Sequence, residues 1–167
     1  MKKIDPNFET ITLAAGCFWG VEYLLSKQKG VIQTTCGYMG GTMENPTYRD
    51  ICSGETGHAE VVQVQFDPKS TSLFTVLDFF WRIHDPTTLN RQGVDVGTQY
   101  RSAIFYHNEK QNKMAQISME KLKKKNTFTG PIVTEIVPAQ NFYPAEEYHQ
   151  NYFNKNPNAQ ICHHIRK

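Results

Sequence analysis

Cys17 stands in the run TLAAGCFWGVEYLLS (residues 12–26), between two glycines and beside two large aromatics, where an apolar strand pattern gives way to helical spacing. A cysteine at a helix start lies near unpaired backbone N–H groups and the positive end of the helix dipole. Both stabilise a thiolate and lower the thiol pKa from its usual ~8.5. That chemistry is nucleophilic. Cysteine is also among the most buried residue types and often only fills space, so this stretch alone leaves both readings open. Phe18 and Trp19 are equally open as core residues or as the walls of a pocket, and Gly16 and Gly20 permit close backbone approach on either side of the thiol.

A second chemical oddity lies in HAEVVQVQFD (residues 58–67). Strand parity puts Glu60 with Val62, Val64 and Phe66 on one face, and Ala59, Val61, Gln63 and Gln65 on the other. A carboxyl on the more apolar face is desolvated and its pKa rises, which is what a general acid at neutral pH requires. The competing reading is that Glu60 escapes to solvent at the strand end or pairs with Arg49, Arg91 or Arg101. Tyr48 and Cys52 stand in the long loop leading into Glu60, while Asp95 and Tyr100 stand just before and within a fourth strand. Tyrosines and a second carboxylate thus approach one end of a sheet. Taken singly, each has a plain structural reading, since Asp beside Gly makes turns and a strand Tyr packs. Glu146 and Glu147, at the start of a short helix, complement its dipole.

The elements that must position these groups follow from periodicity. Residues 10–15 read as a strand, and Phe18, Val21, Leu24 and Leu25 recur at helical spacing as far as Gly30. Residues 31–36 form a β-branched second strand, and residues 37–57 an aperiodic run rich in Gly, Asn and Pro. Residues 58–67 alternate as a third strand, Leu73, Val76, Leu77, Phe80, Trp81 and His84 mark a second helix, and residues 100–107 a fourth strand. The order β-α-β-β-α-β is that of an α+β, ferredoxin-like split βαβ core, with helices over one face of an antiparallel sheet. A further helix runs from an Asn108 cap, with Gln111 placed as in a capping box, to about Asn126. An edge or excursion strand follows over 132–137. Pro144 opens a short helix through Tyr152, and the tail from Asn154 is polar and irregular.

A chain of 167 residues reads as one domain, 1–167, with 154–167 a mobile tail. Eighteen basic and sixteen acidic residues leave a net charge of +2, too balanced to imply a nucleic-acid or membrane-surface partner. No apolar run approaches the length of a membrane span and residues 1–9 hold no apolar leader core, so a cytoplasmic location is expected. Four cysteines, Cys17, Cys36, Cys52 and Cys162, are too sparse for a disulfide scaffold, and a reducing compartment keeps them as thiols.

Together the blocks GCFWG (16–20), CSGETGHAEVVQVQFDP (52–68), QGVDVGTQYRSAIF (92–105) and YPAEEYHQNY (143–152) resemble the peptide methionine sulfoxide reductase A family, over nearly the whole chain and in family order. The resemblance implies a mixed α+β fold with a ferredoxin-like core. It implies that Cys17 is the nucleophile, that Phe18 and Trp19 hold the substrate's S-methyl group, that Glu60, Tyr48 and Tyr100 hydrogen-bond the sulfoxide oxygen, and that Asp95 helps order the pocket. It implies reduction of methionine-S-sulfoxide, free or in proteins, through a Cys17 sulfenic acid that a second thiol resolves. Cys162 is the expected resolver, since a cysteine in such a C-terminal segment commonly forms the first disulfide in the family. Cys52 is its competitor and Cys36 reads as buried filler. No metal or organic cofactor is implied. The resemblance implies thioredoxin as the reductant, and a monomer is expected.

Two other classes are carried alongside. A metal-binding or redox-sensing module would use Cys36, Cys52, Cys162, His163 and His164, but the paired short spacings of a zinc site are missing. A Cys/His acyl-transfer enzyme would pair Cys17 with His58, His84 or His149 as general base.

Overall fold

The computed structural model describes residues 5–167. Three strands set its centre: β1 (Glu9–Ala15), β2 (Val31–Met39) and β3 (Ala59–Phe66), with β6 (Ser102–Tyr106) beside them. β3 lies between β1 and β2, and all neighbouring pairs in the order β6-β1-β3-β2 are antiparallel. This is the split βαβ arrangement expected from the sequence, with α1 (Phe18–Ser26) and α3 (Leu73–Arg82) as its two helices. The added edge strand β7 (Glu135–Pro138) pairs parallel with β6, and β8 (Tyr143–Pro144) pairs with the far side of β2.

Parity along β3 divides the apolar residues as expected. Val62, Val64 and Phe66 join the main core with Ile11, Leu13, Phe18, Val21, Leu25, Leu77 and Phe80 under the helices. Ala59 and Val61 belong to a smaller cluster on the opposite face with Ala14, Met39, Ala103 and Phe105, against which Val137, Ala139 and Phe142 pack. Leu13 faces Val62 on one side and Ile104 on the other and is fully buried. Leu13→Ala is therefore expected to lower unfolding stability by about 2–5 kcal/mol, the usual range for a truncated core leucine, as read from a shift in urea midpoint.

α4 (Glu109–Lys124) starts at the expected cap, with Asn108 Oδ1 accepting from Gln111 N at 2.9 Å. The other half of the capping box is replaced. The Gln111 side chain accepts locally from His107 N and donates to the Thr10 carbonyl, the latter a tertiary bond that fixes the helix start against β1. Trp81 Nε1 donates to Ser118 Oγ at 2.8 Å and ties α3 to α4.

Three local expectations are corrected. The run 37–57 is not all loop, because β2 continues to Met39 and Thr47 and Asp50 form a reciprocal capping box that starts α2 (Tyr48–Cys52). Tyr48 and Cys52 therefore ride on a short helix. Tyr100 closes a 3₁₀ turn, Thr98–Tyr100, just ahead of β6 instead of lying within the strand. Pro144 opens no helix. It belongs to β8, where a residue without an N–H is tolerated at a sheet edge, and the following turns are a 3₁₀ helix, Glu147–His149, and α5 (Tyr152–Lys155). No helix among the described residues is long and apolar enough to cross a membrane.

Candidate active site

Cys17 is the N-cap of α1, in the bend between β1 and the helix. Gly16 makes that bend with φ +92°, a conformation open to glycine at little cost. A Cβ there would also lie 2.6 Å from Gln92. Gln92 belongs to the hairpin of β4 (Arg91–Gln92) and β5 (Asp95–Val96), so the close approach at Gly16 seats the hairpin bearing Asp95 against the nucleophile's bend.

Glu60 is 2% exposed, opposite Tyr38 of β2. Its Oε1 accepts from Phe18 N at 3.2 Å, which ties the carboxyl to the first turn of α1 and so to Cys17. Among the described residues no arginine pairs with it, and Arg101 pairs with Glu135 instead. Burial raises the carboxyl to about 8, against the lowering pull of the Phe18 N–H and with a further push from Asp95. At neutral pH the group is an acid.

The thiol departs from expectation in the opposite sense. The Trp19 and Gly20 N–H groups favour a thiolate, but burial and the nearby Glu60 carboxylate outweigh them, and Cys17 is pushed up to about 12. The sulfur makes no capping hydrogen bond. Sequence shows the helix start but not the depth of the site, and desolvation decides the balance.

Both tyrosines feel the Glu60 charge. Burial, then the Glu60 charge, raises the hydroxyls of both Tyr48 and Tyr100 well above their ordinary value, and each also feels Cys52. Cys17 and Asp95 act on Tyr100 as well. Cys17, Glu60, Asp95, Tyr48 and Tyr100 thus share one electrostatic neighbourhood, with Cys52, exposed on α2, at its margin. Cys162 is exposed on the tail. Cys36 is fully buried, its Sγ donating to Glu22 Oε2 at 2.8 Å.

Phe18 is buried, 5.7 Å from Tyr38 and 5.1 Å from His149 between ring centres. Trp19 is half-buried, stacked on Tyr152 at 3.7 Å and 3°. Its Nε1 donates to His149 Nδ1 at 2.8 Å. An indole N–H can only donate, so His149 accepts with a neutral ring; burial lowers its pKa accordingly.

Four supporting residues escaped the sequence reading. His149 fixes Trp19 and lies 4.4 Å from the Tyr48 ring. Glu146, expected only to complement a helix dipole, accepts from the Tyr48 backbone N–H at 2.9 Å and the Tyr38 hydroxyl at 3.0 Å, anchoring α2. Glu22 accepts from Asn151 N and Cys36 Sγ. Gln150 bridges both backbone groups of Cys36. Only Glu22 left a signal, as a charge among the buried residues Phe18, Val21 and Leu25 of one helix face.

The competing chemistries lack their parts. His58 accepts from Gly41 N and bonds the Met43 carbonyl; His84 bonds Phe80 O and Ser102 Oγ, and burial lowers it to about 3. With His149 engaged by Trp19, none of the three activates Cys17. Among the described residues no three His, Cys, Asp or Glu side chains converge as a metal site requires.

Comparison with known proteins points the same way. A profile of the peptide methionine sulfoxide reductase family matches residues 9–167. MsrA of Methanosarcina acetivorans is 59% identical over 89% of this chain and 79% of its own. MsrA of Methanothermobacter thermautotrophicus is 56% identical over 96% and 94%. Reduced Mxr1 from Saccharomyces cerevisiae has a TM-score of 0.93 at 42% identity, covering 99% of this chain and 96% of that one. The same yeast protein in complex with Trx2 has a TM-score of 0.68 at 32% identity, covering 100% and 96%. Fold, site and relatives define a thiol-dependent oxidoreductase. The chain belongs to the peptide methionine sulfoxide reductase A family.

Proposed function

We propose that this enzyme reduces methionine-S-sulfoxide, with Cys17 as nucleophile, Glu60 as acid and Cys162 as resolving thiol. The observation that carries the reading is the buried Glu60 carboxyl, bonded to the N–H of Phe18 beside Cys17, where burial raises its pKa to about 8. Sulfoxide sulfur is a poor electrophile, so attack becomes feasible only as the departing oxygen gains a proton. Glu60 gives that proton while the Cys17 sulfur attacks, and the thiol's proton restores Glu60, so the buried site gains no net charge. The oxygen leaves the methionine sulfur and stays on Cys17 as a sulfenic acid. Tyr48 and Tyr100, held neutral by burial and by Glu60, donate to the oxygen in transit. Phe18 and Trp19 receive the methyl group, and Asp95 orders the pocket. Methyl, oxygen and sulfur held at three fixed places admit one epimer only, and family membership favours S.

Cys162 then condenses with the sulfenic acid to a disulfide and water. Thioredoxin reduces that disulfide, a role supported by the yeast relative solved with Trx2. The cycle needs no metal or organic cofactor. The 167 residues act as one monomeric domain whose segment 154–167 carries the resolving thiol, in a reducing, cytoplasmic setting that suits four free thiols.

The test mixes fully reduced enzyme with each epimer of a blocked methionine sulfoxide and maps the disulfide by mass spectrometry. One methionine per enzyme from the S epimer, with a Cys17 to Cys162 bond, is expected; no methionine from either epimer overturns the reading. Cys162→Ser should still release one methionine yet fail to cycle with thioredoxin. Continued cycling would move the resolving role to Cys52.

A further inference from the structure

The tail has no helix or strand after α5, yet it is fastened to the body at two points. His163 is 5% exposed, with Nε2 2.7 Å from the Ala15 carbonyl. A carbonyl only accepts, so the ring carries its proton on Nε2, and Nδ1 is buried without a partner. The ring lies on the first turn of α1. A Cβ added to Gly20 would come 2.4 Å from His163 Nδ1, and one added to Gly16 would come 3.4 Å from Nε2. These are the two glycines that bracket Cys17: Gly20 leaves open the space the ring fills, and Gly16 lies in ordinary contact with the ring's other nitrogen. The second fastening is Arg166. Its backbone N donates to Arg82 O at 2.8 Å, its carbonyl accepts from Arg82 Nε at 2.6 Å, and its guanidinium donates to Trp81 O and lies 4.6 Å over the Phe128 ring. Cys162 is the exposed residue immediately before the His163 fastening, and neighbouring Cα atoms are about 3.8 Å apart.

We propose that His163 is the positioning residue of the resolving step: it seats the tail on the nucleophile's own helical turn, so that Cys162 waits beside Cys17. This rests on the reading of Cys162 as resolver. When Cys17 carries the sulfenic acid, the Cys162 sulfur attacks the Cys17 sulfur. An S–S bond forms and the S–O bond breaks; hydroxide leaves with the thiol proton as water, Cys162 being oxidised and Cys17 reduced. His163 touches neither sulfur. Its Nε2–H to the Ala15 carbonyl is the bond that matters, and Arg166 keeps the tail's far end from pulling the ring away. Without the seat, Cys162 must find Cys17 by searching as part of a flexible segment, at a lower effective concentration.

The two steps are separated by rapid mixing of reduced enzyme with the S epimer of a blocked methionine sulfoxide, followed by acid quench. Methionine reports the first step, free thiols by alkylation and mass spectrometry report the second, and dimedone traps the sulfenic acid. In His163→Ala the methionine burst should keep its wild-type rate while disulfide formation slows about tenfold or more and dimedone adduct on Cys17 accumulates. His163→Gln, whose terminal amide can donate to Ala15 O, should recover most of the rate. Disulfide formation at the wild-type rate in His163→Ala overturns the proposal, as does a slowed methionine burst, which would place His163 in the first step. Equal slowing in the Ala and Gln variants removes the hydrogen bond from the role. Cys162→Ser in the same experiment keeps the two readings apart: if it still closes a Cys17 disulfide at the wild-type rate, the resolver lies elsewhere and both fall.

Discussion

Cys17→Ser is expected to release no methionine from either sulfoxide epimer in a single-turnover assay and to form no disulfide, while folding as stably as the parent. The chemical half of the expectation is simple. The oxygen removed from methionine must reside on the enzyme between the two halves of the cycle, and a serine hydroxyl has no counterpart of the sulfenic acid on which to hold it. A hydroxyl is also a far weaker nucleophile than sulfur. The structural half is specific to this position. Cys17 is an N-cap residue whose sulfur makes no capping bond, and serine is among the preferred N-cap residues because its oxygen accepts from the N–H groups of the first turn. The substitution should leave thermal stability unchanged or slightly raised. Loss of activity with an intact melting curve then isolates chemistry from folding. Methionine released stoichiometrically by the serine variant would remove Cys17 as the reacting group.

What could be read from the residues divides along the range of the interactions. The four-strand, two-helix core was legible because its signals are local: alternation in HAEVVQVQFD, and helical recurrence of Leu73, Val76, Leu77, Phe80 and Trp81, all of them buried. Glu60 was legible for the same reason, since strand parity alone sets it among Val62, Val64 and Phe66. α2 was hidden because only five residues long and polar, it has no period to detect; its start is set by the Thr47 and Asp50 box. The helix expected at Pro144 gave way to β8, because pairing with Gly37 and Tyr38 of β2 outweighs a favourable first-turn residue.

The supporting groups of the site were the least legible. His149 lies 130 residues from Trp19 in sequence, Glu146 98 from Tyr48 and Gln150 114 from Cys36, and no local pattern announces such pairs. All three lie in or beside YPAEEYHQNY, a block recognised by resemblance without its physical role being evident. Its role is to brace α1, β2 and α2 from outside the core, holding Trp19, Cys36 and Tyr48 at once. The thiol's acidity was misjudged for a related reason. A helix start is a local feature, whereas the burial that pushes Cys17 up to about 12 is the sum of contacts from every element around it.

That burial governs the second large effect, expected for Glu60→Gln. Glutamine keeps the shape of the side chain, its carbonyl oxygen can still accept from Phe18 N, and its amide can still donate to a sulfoxide oxygen. It cannot give a proton away. The substitution therefore removes proton transfer and leaves hydrogen bonding, so the methionine burst should slow by about 10²–10⁴, the usual contribution of a positioned acid, with substrate affinity little changed. Its pH dependence should change with it. Because burial raises the Glu60 carboxyl to about 8, the acid form is present below that value and is lost as pH rises through it. The parent's burst rate should accordingly fall between about pH 7 and 9, within about one unit either side of that pKa. The glutamine variant should show no such fall, since it has nothing to lose in that window. A flat parent profile across this range would mean that another group supplies the proton. A glutamine variant as fast as the parent would reduce Glu60 to a hydrogen-bonding partner of Phe18. Slowing accompanied by loss of the pH limb would tie the chemistry of the sulfoxide oxygen to one buried carboxyl, and would account for a site that leaves its nucleophile protonated at rest. A thiolate and a carboxylate side by side in so dry a place would repel each other, whereas a thiol and a carboxylic acid can exchange protons with the substrate as the bonds change.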